Sequence, residues 1–134
     1  MKILDKNELK IGYLVSLKIK TIDFPVSAIV SDQNTFWLSD EAVIDINSSD
    51  IEKVFAIPVN LHCLFSLGFR QSPEYCNYLT LKIGTNGIAI ERENNIIKQI
   101  TIVENGIERP CNYKYVHELQ DRIWYLNLIK ETSK

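Results

Sequence analysis

The sequence predicts an α+β protein with a small antiparallel N-terminal barrel of the SH3-like kind, a short helix, an antiparallel β-meander and a C-terminal α-helix packed on the meander sheet. Three observations support this class. Short runs of β-branched and aromatic residues alternate with turn residues over residues 1–57. Two Asn-Gly pairs, at 86–87 and 105–106, are strong hairpin signals. The segment 113–130 has the apolar period of a helix.

The N-terminal part is predicted to form short strands joined by tight turns. Each is an apolar or alternating run bounded by Gly, Asn, Asp or Ser. Pro25 confines the second run to a sheet edge or a strand start, because proline cannot donate to the ladder. This spacing favours a strongly bent sheet or a small barrel. The expected strands lie at residues 14–19, 24–30, 35–38, 42–46 and 51–57.

The middle of the chain combines a short helix with a meander. The helix is expected at 61–67, with Asn60 as N-cap and Gly68 just beyond its end, where a positive φ is needed. A loop follows at 71–74. The meander strands are expected at residues 78–83, 88–92, 96–103 and 107–109, with turns at 84–87, 93–95 and 105–106.

The last helix is the most strongly predicted element. Residues 113–130 read YKYVHELQDRIWYLNLIK, without Gly or Pro, and Asn112 is the expected N-cap. One narrow arc of this helix is apolar, as in a helix that packs on a core. This arc contains Val116, Leu119, Ile123 and Leu126. Since the meander sheet must bury one face, we expect this helix to cover it.

A second group of residues lies away from that arc. Trp124, Tyr125 and Leu128 project from other sides of the helix, and His117 and Asp121 lie along the flank of Trp124 and Leu128. A helix with apolar residues this far around needs two partners. The second partner is either a loop of the same domain or another protein chain, and the sequence leaves both alternatives open.

Length and charge restrict the class of protein. A chain of 134 residues predicts a single domain, 1–134, with possible lobes at 1–57 and 58–134. The formal charge of −2 gives no general attraction to nucleic acid. The first residues lack the apolar core of a signal peptide, and no run is long enough to span a bilayer, so we expect a cytoplasmic protein without membrane contact. Three cysteines, an odd number, fit reduced thiols.

The spacing of the residues that could act in catalysis or bind a metal is only a weak indication of such a site. His117 and Asp121, at i and i+4, could form a general base with its orienting carboxylate, but no nucleophile is evident nearby and a solvated pair is favoured. The possible zinc ligands lack the close pairs of structural sites, so we favour free thiols and expect no metal or cofactor. These ligands are His62, Cys63, Cys76, Cys111 and His117.

An alternative function is nucleic-acid binding by the N-terminal barrel. Small barrels of this pattern often present basic and aromatic side chains to a strand of nucleic acid. Such a site would need a basic groove with rings that stack on bases. The candidate residues are Lys10, Lys18, Lys20, Phe36 and Trp37.

Short segments near both ends and in the middle of the chain carry a family resemblance. They are Ile11-Gly12 with Val15, then IPVN at 57–60 leading to LGF at 67–69, and YVHELQ at 115–120. On these segments the chain resembles a family of small uncharacterised proteins of Bacteroides-type bacteria and their phages and prophages. Asn60 replaces that family's usual Thr, and Asp121-Arg122 replaces Asn-Leu. The resemblance implies a layout and a mobile-element setting, and no catalytic residue.

These observations lead to one hypothesis of function. The chain is expected to be a non-enzymatic, cytoplasmic interaction or accessory protein of phage or mobile-element origin. Its final helix would form a surface for a second copy of the chain or for another protein. The residues expected on that surface are Trp124, Tyr125, Leu128, His117 and Asp121.

Overall fold

The computed structural model of the chain describes residues 2–38 and 42–132, with side chains of the last helix as far as Ile129. The chain divides into two compact units, Met1–Ile57 and Pro58–Lys134. Each unit contains a five-stranded antiparallel sheet, and the second unit also contains the two α-helices. The predicted α+β class is therefore confirmed.

The first unit is a curled half-barrel sheet with the strand order β4-β3-β2-β1-β5. In β1, Val15, Leu17 and Ile19 are buried at alternate positions, as expected for a strand with one core face. Pro25 immediately precedes β2, which agrees with its predicted place at a strand start. The strands are β1 (Leu14–Ile19), β2 (Val26–Val30), β3 (Thr35–Leu38), β4 (Val43–Asp45) and β5 (Ile51–Ala56).

The two edges of this sheet differ. A segment at residues 2–4 lies along β5, where the Leu4 N–H donates to the Val54 carbonyl at 2.8 Å and the Ala56 N–H donates to the Lys2 carbonyl at 2.9 Å. A turn of 3-10 helix follows at Lys6–Glu8, which the sequence pattern did not predict. The opposite edge is β4, the shortest strand of the sheet.

The second unit is a meander with the strand order β10-β9-β8-β7-β6 and one helix before and one after it. Asn60 is the N-cap of the first helix, since its side chain accepts from the Cys63 N–H at 3.0 Å, and Gly68 has the expected positive φ of 102°. The elements are α1 (Leu61–Ser66), β6 (Arg70–Gln71), β7 (Tyr78–Ile83), β8 (Asn86–Glu93), β9 (Ile96–Glu104), β10 (Ile107–Cys111) and α2 (Val116–Thr132).

One of the two predicted Asn-Gly turns is wrong. Ile83 pairs with Asn86, so the β7–β8 turn consists of Gly84 and Thr85, and Gly84 supplies the positive φ of 63°. Asn86 and Gly87 instead begin β8. The other turn is confirmed: Glu104 pairs with Ile107, and Asn105 and Gly106 have φ values of 54° and 78°. A two-residue hairpin with both φ values positive is the geometry that Asn-Gly favours.

The structure also corrects the region before the last helix. The sequence places Pro110 just before this helix, where it is expected to end the preceding strand, but Pro110 pairs with Thr101 inside β10, an edge strand in which a missing N–H is tolerated. Cys111 follows Pro110 and is expected in the loop before the helix, but it is the last residue of β10. At the other edge of the sheet, Arg70 and Gln71 form the short strand β6, so the predicted loop at 71–74 begins one residue later.

Helix α2 begins at Val116, three residues after the predicted start. The Lys114 carbonyl accepts from the Val59 N–H at 3.0 Å, and Tyr115 forms an antiparallel bridge with Pro58. These contacts hold the chain extended up to Tyr115, so the prediction of Asn112 as N-cap is wrong.

The core of the second unit lies between α2 and the inner face of the meander. Leu119 and Leu126 of α2 belong to this core and Ile123 packs against it, while Val116 in the first turn of α2 is also fully buried. This confirms that the predicted arc of α2 covers the sheet. Of the two described helices, neither has the length and apolar content needed to cross a membrane. The buried partners of α2 are Leu64, Phe69, Leu79, Ile83, Ile88, Ile90, Ile100 and Ile102.

Candidate functional site

The candidate site is the side of α2 that faces away from its core. Trp124 and Leu128 lie one turn apart on this side and are 38% and 61% exposed, and Tyr125 beside them is also exposed. His117 and Asp121 occupy the preceding turns and are half-buried. We name the five residues Trp124, Tyr125, Leu128, His117 and Asp121 the outer face of α2.

A shallow depression crosses the first half of this outer face. It brings together three of the predicted residues, His117, Asp121 and Tyr125, whereas Trp124 and Leu128 lie outside its lining. The other lining residues were not predicted from the sequence. They are Tyr113, Glu118 and Arg122.

Arg122 organises the polar part of the depression. Its Nε donates a hydrogen bond to the Tyr113 hydroxyl at 3.1 Å, and the centre of its guanidinium lies 5.3 Å from the centre of the Tyr125 ring, a cation–π contact. An Nη atom lies 4.0 Å from a carboxylate oxygen of Glu104. The hydrogen bond to Tyr113 raises the pKa of Arg122 above its ordinary value, and Glu104 adds to this rise while partial burial opposes it. The guanidinium is therefore a permanent cation held between two tyrosines.

Glu118 has a structural role at the start of α2. One carboxylate oxygen accepts from the backbone N–H groups of Lys114 and Tyr115, both at 3.0 Å, which satisfies donors at the helix entrance. Beside it, the rings of Tyr115 and His117 stack with centres 6.0 Å apart and planes inclined by 21°. Glu118 thus connects the lining of the depression to the backbone at the start of α2.

The lining of the depression combines aromatic, cationic and carboxylate side chains. The depression is lined by two tyrosines, one arginine, one histidine and two carboxylates, without a cysteine, serine or threonine. Within residues 2–38 and 42–132, no three His, Cys, Asp or Glu residues are grouped as metal ligands. Cys63 is buried and its Sγ accepts from the Asn60 side-chain amide at 3.3 Å, while Cys76 is exposed and Cys111 is partly buried.

The residues predicted for nucleic-acid binding are not arranged as a stacking surface. Phe36 is fully buried in the core of the first unit, so its prediction as a base-stacking ring is wrong. Neighbouring residues of a strand point to opposite faces, which is why Trp37 is exposed while Phe36 is not. The ammonium of Lys18 donates to the Ile22 carbonyl at 2.7 Å, and Lys10 and Lys20 are exposed.

Some residues of the site were not predicted from the sequence. Arg122 and Tyr125 are three residues apart in a helix, and side chains at this spacing are neighbours. Their contact was therefore predictable from the sequence. Tyr113 was assigned to the helix itself, and Glu104 approaches from the end of β9. Comparisons of the chain with protein-family models, with curated proteins and with solved structures find no match.

Proposed function

We propose that this chain is a non-enzymatic interaction protein and that the outer face of α2 is its contact surface. The supporting observation is the exposure of Trp124 and Leu128 beside the ordered Arg122–Tyr125 pair. Tryptophan, tyrosine and arginine are the residue types that contribute most to binding at protein interfaces. The occupant to be tested first is a second copy of the chain.

The order of the Tyr125 ring adds to this proposal. A side chain that is already held in place loses less conformational entropy when a partner covers it, so more of the contact energy contributes to affinity. Arg122 contacts Tyr125 and is itself tied to Tyr113. The flanking His117 and Asp121 supply the polar rim that surrounds the apolar centre of most interfaces.

The setting of the proposed function is the cytoplasm, in a phage or other mobile element. This part of the proposal rests on the resemblance in the segments 57–60, 67–69 and 115–120 and on the three free cysteines, which fit a reducing compartment.

Sedimentation equilibrium over a range of protein concentrations tests the contact surface. We expect the wild-type chain to self-associate and the double variant Trp124→Ala, Leu128→Ala to associate at least about tenfold more weakly, since each lost interface anchor costs a factor of this order. A matched control is the double variant Ile96→Ala, Ile107→Ala, which removes similarly exposed apolar side chains from β9 and β10.

Three outcomes would contradict the proposal. Loss of cooperative urea unfolding in the α2 double variant would show that Trp124 and Leu128 are needed for folding and do not serve mainly as a contact surface. Equal weakening by the control variant would make the association nonspecific. A monomeric wild-type chain in which a photo-crosslinking residue at position 128 captures no second protein, in host extract or with itself, would show that this face binds nothing.

A further inference from the structure

The charges of the first unit are distributed unevenly along the chain. The chain as a whole has a formal charge of only −2, but residues 21–52 contain neither lysine nor arginine. The strands β2, β3 and β4 all lie in this segment. Its carboxylates are Asp23, Asp32, Asp40, Glu41, Asp45, Asp50 and Glu52.

An exposed apolar row crosses the same three strands. Ile29 pairs with Trp37, and Trp37 pairs with Val43, so the three side chains lie side by side on one face of the sheet. They are 43%, 53% and 57% exposed, and the exposure rises toward the sheet edge. The opposite face at the same strands carries the buried residues Ala28, Val30 and Phe36. The row therefore ends at the edge strand β4 with its largest side chain, Trp37, one strand away.

The backbone of β4 is arranged to accept another strand. The Leu38 N–H donates to the Ala42 carbonyl at 2.8 Å, and the Ile46 N–H donates to the Asn34 carbonyl at 2.9 Å. Because hydrogen-bonded and non-hydrogen-bonded pairs alternate in an antiparallel ladder, Ile44 bonds to β3, whereas the backbone groups of Val43 and Asp45 point away from it. The Asp45 carbonyl already accepts from the Ser48 N–H at 3.0 Å. Among the described residues, β4 pairs with β3 alone.

We propose that the β4 edge binds an extended, basic segment of another protein as an added β-strand. The segment would place an apolar side chain beside Val43, where it prolongs the row of Ile29 and Trp37, and a lysine or arginine beside Asp45. The N–H and C=O groups of Val43 and the N–H of Asp45 would supply the hydrogen bonds, and side chains at alternate positions would supply the specificity, as in other cases of strand addition.

Charge decides between this occupant and a second copy of the chain. Pairing two β4 edges would bring together two segments that carry only negative charge, and like charges across a strand pair are destabilising. A basic segment gains from the same field. This site lies in the first unit and is independent of the proposed contact surface on α2.

A synthetic peptide is a suitable probe. Its central sequence is Lys-Thr-Val-Thr-Lys, which alternates basic or apolar residues with threonine, and it carries a fluorescent label for anisotropy titration. We expect saturable binding that weakens as salt is raised, because salt screens exposed charge pairs. A peptide with Glu in place of both Lys residues and one with the same residues in scrambled order serve as controls and should bind at least about tenfold more weakly.

Two substitutions test the mode of binding. Val43→Pro removes the outward N–H of β4 and leaves the bonds to β3, a position at which an edge strand tolerates proline. We expect it to weaken binding by about fivefold to tenfold, which corresponds to one lost hydrogen bond, while the control Val43→Thr keeps the N–H. Asp45→Asn keeps the acceptor that bonds the Asn47 N–H at 2.7 Å but removes the charge, so the salt dependence should fall.

The outcomes separate clearly. Weaker binding in Val43→Pro but not in Val43→Thr, together with weaker binding of a peptide N-methylated at its central valine, supports strand addition. The methylated peptide gives this result even if Val43→Pro does not fold. Absence of binding, equal binding of the Glu peptide, or a dimer that Val43→Pro dissociates would each overturn the proposal, the last because a second copy would then occupy the edge.

Discussion

The side-chain oxygen of Asn86 accepts a hydrogen bond from the backbone N–H of Asn105 at 3.0 Å, so the first residue of β8 anchors the β9–β10 turn. Asn86 is buried, which is unusual for an asparagine, and the residues are 19 positions apart in the chain. This contact explains why the asparagine of one Asn-Gly pair is found in a strand while the other forms a turn.

Replacing Asn86 with Ala is expected to lower the free energy of unfolding by about 1 kcal/mol, because the Asn105 N–H loses its partner in a partly buried position. The measurement is urea unfolding followed by fluorescence. Asn95→Ala, in the exposed turn between β8 and β9, is the matched control and should change stability by less than half as much. Equal effects of the two substitutions would show that the hydrogen bond between Asn86 and Asn105 does not contribute to stability.

Gly87→Ala is expected to be more destabilising than Gly106→Ala. A Cβ at Gly87 would lie 2.6 Å from the Leu81 carbonyl oxygen, and the backbone there cannot yield without disturbing the β7–β8 ladder. At Gly106 a Cβ has open space, and only the positive φ of 78° is unfavourable, which costs about 1–2 kcal/mol. We expect about 2–3 kcal/mol for Gly87→Ala by chemical denaturation. The reverse order would mean that the strand shifts easily.

Glu118→Ala should lower the free energy of unfolding by about 1 kcal/mol, since two backbone donors before α2 would lose their acceptor. Glu118→Gln retains an acceptor and should cost less. Thermal unfolding monitored by circular dichroism at 222 nm, a standard wavelength for helix content, compares the two variants. Identical midpoints for Glu118→Ala and wild type would remove the capping role.

A double-mutant cycle with Arg122→Met and Tyr125→Leu should give a coupling energy of about 0.5 kcal/mol, the size expected for a partly exposed cation–π pair. The pKa of Arg122 in the folded chain is raised above its ordinary, already high value. The stabilisation by the charged guanidinium is therefore fully present at every pH below the ordinary pKa and is lost only in strongly alkaline solution. The coupling should therefore be constant across the neutral pH range. A coupling that disappears between mildly acidic and mildly basic pH would assign it to another group.

Features set by neighbouring residues were predictable from the sequence. The N-cap at Asn60, the turn at Asn105-Gly106 and the buried arc of α2 each depend on a few adjacent positions. The outward direction of Trp124 and Leu128 also follows from helical geometry alone.

Features set by distant partners were not predictable. The start of α2 depends on pairing of Lys114 and Tyr115 with Pro58 and Val59, which no local pattern reveals. The turn predicted at Asn86-Gly87 does not form, because Gly84 supplies the positive φ two residues earlier. Glu104 approaches Arg122 from the end of β9, so this ion pair could be recognised only from the tertiary structure.

The segment at residues 2–4 that lies along β5 has a consequence for assembly. A β-sheet that is open on both sides can recruit copy after copy and grow into a filament. Here the carboxyl half of β5 is already occupied by the chain's own backbone, so a molecule that adds a strand at β4 in the proposed way has only the amino half of β5 left for further pairing. Removing residues 2–4 would open the rest of this edge to strand pairing and would also take the buried Leu4 side chain out of the core.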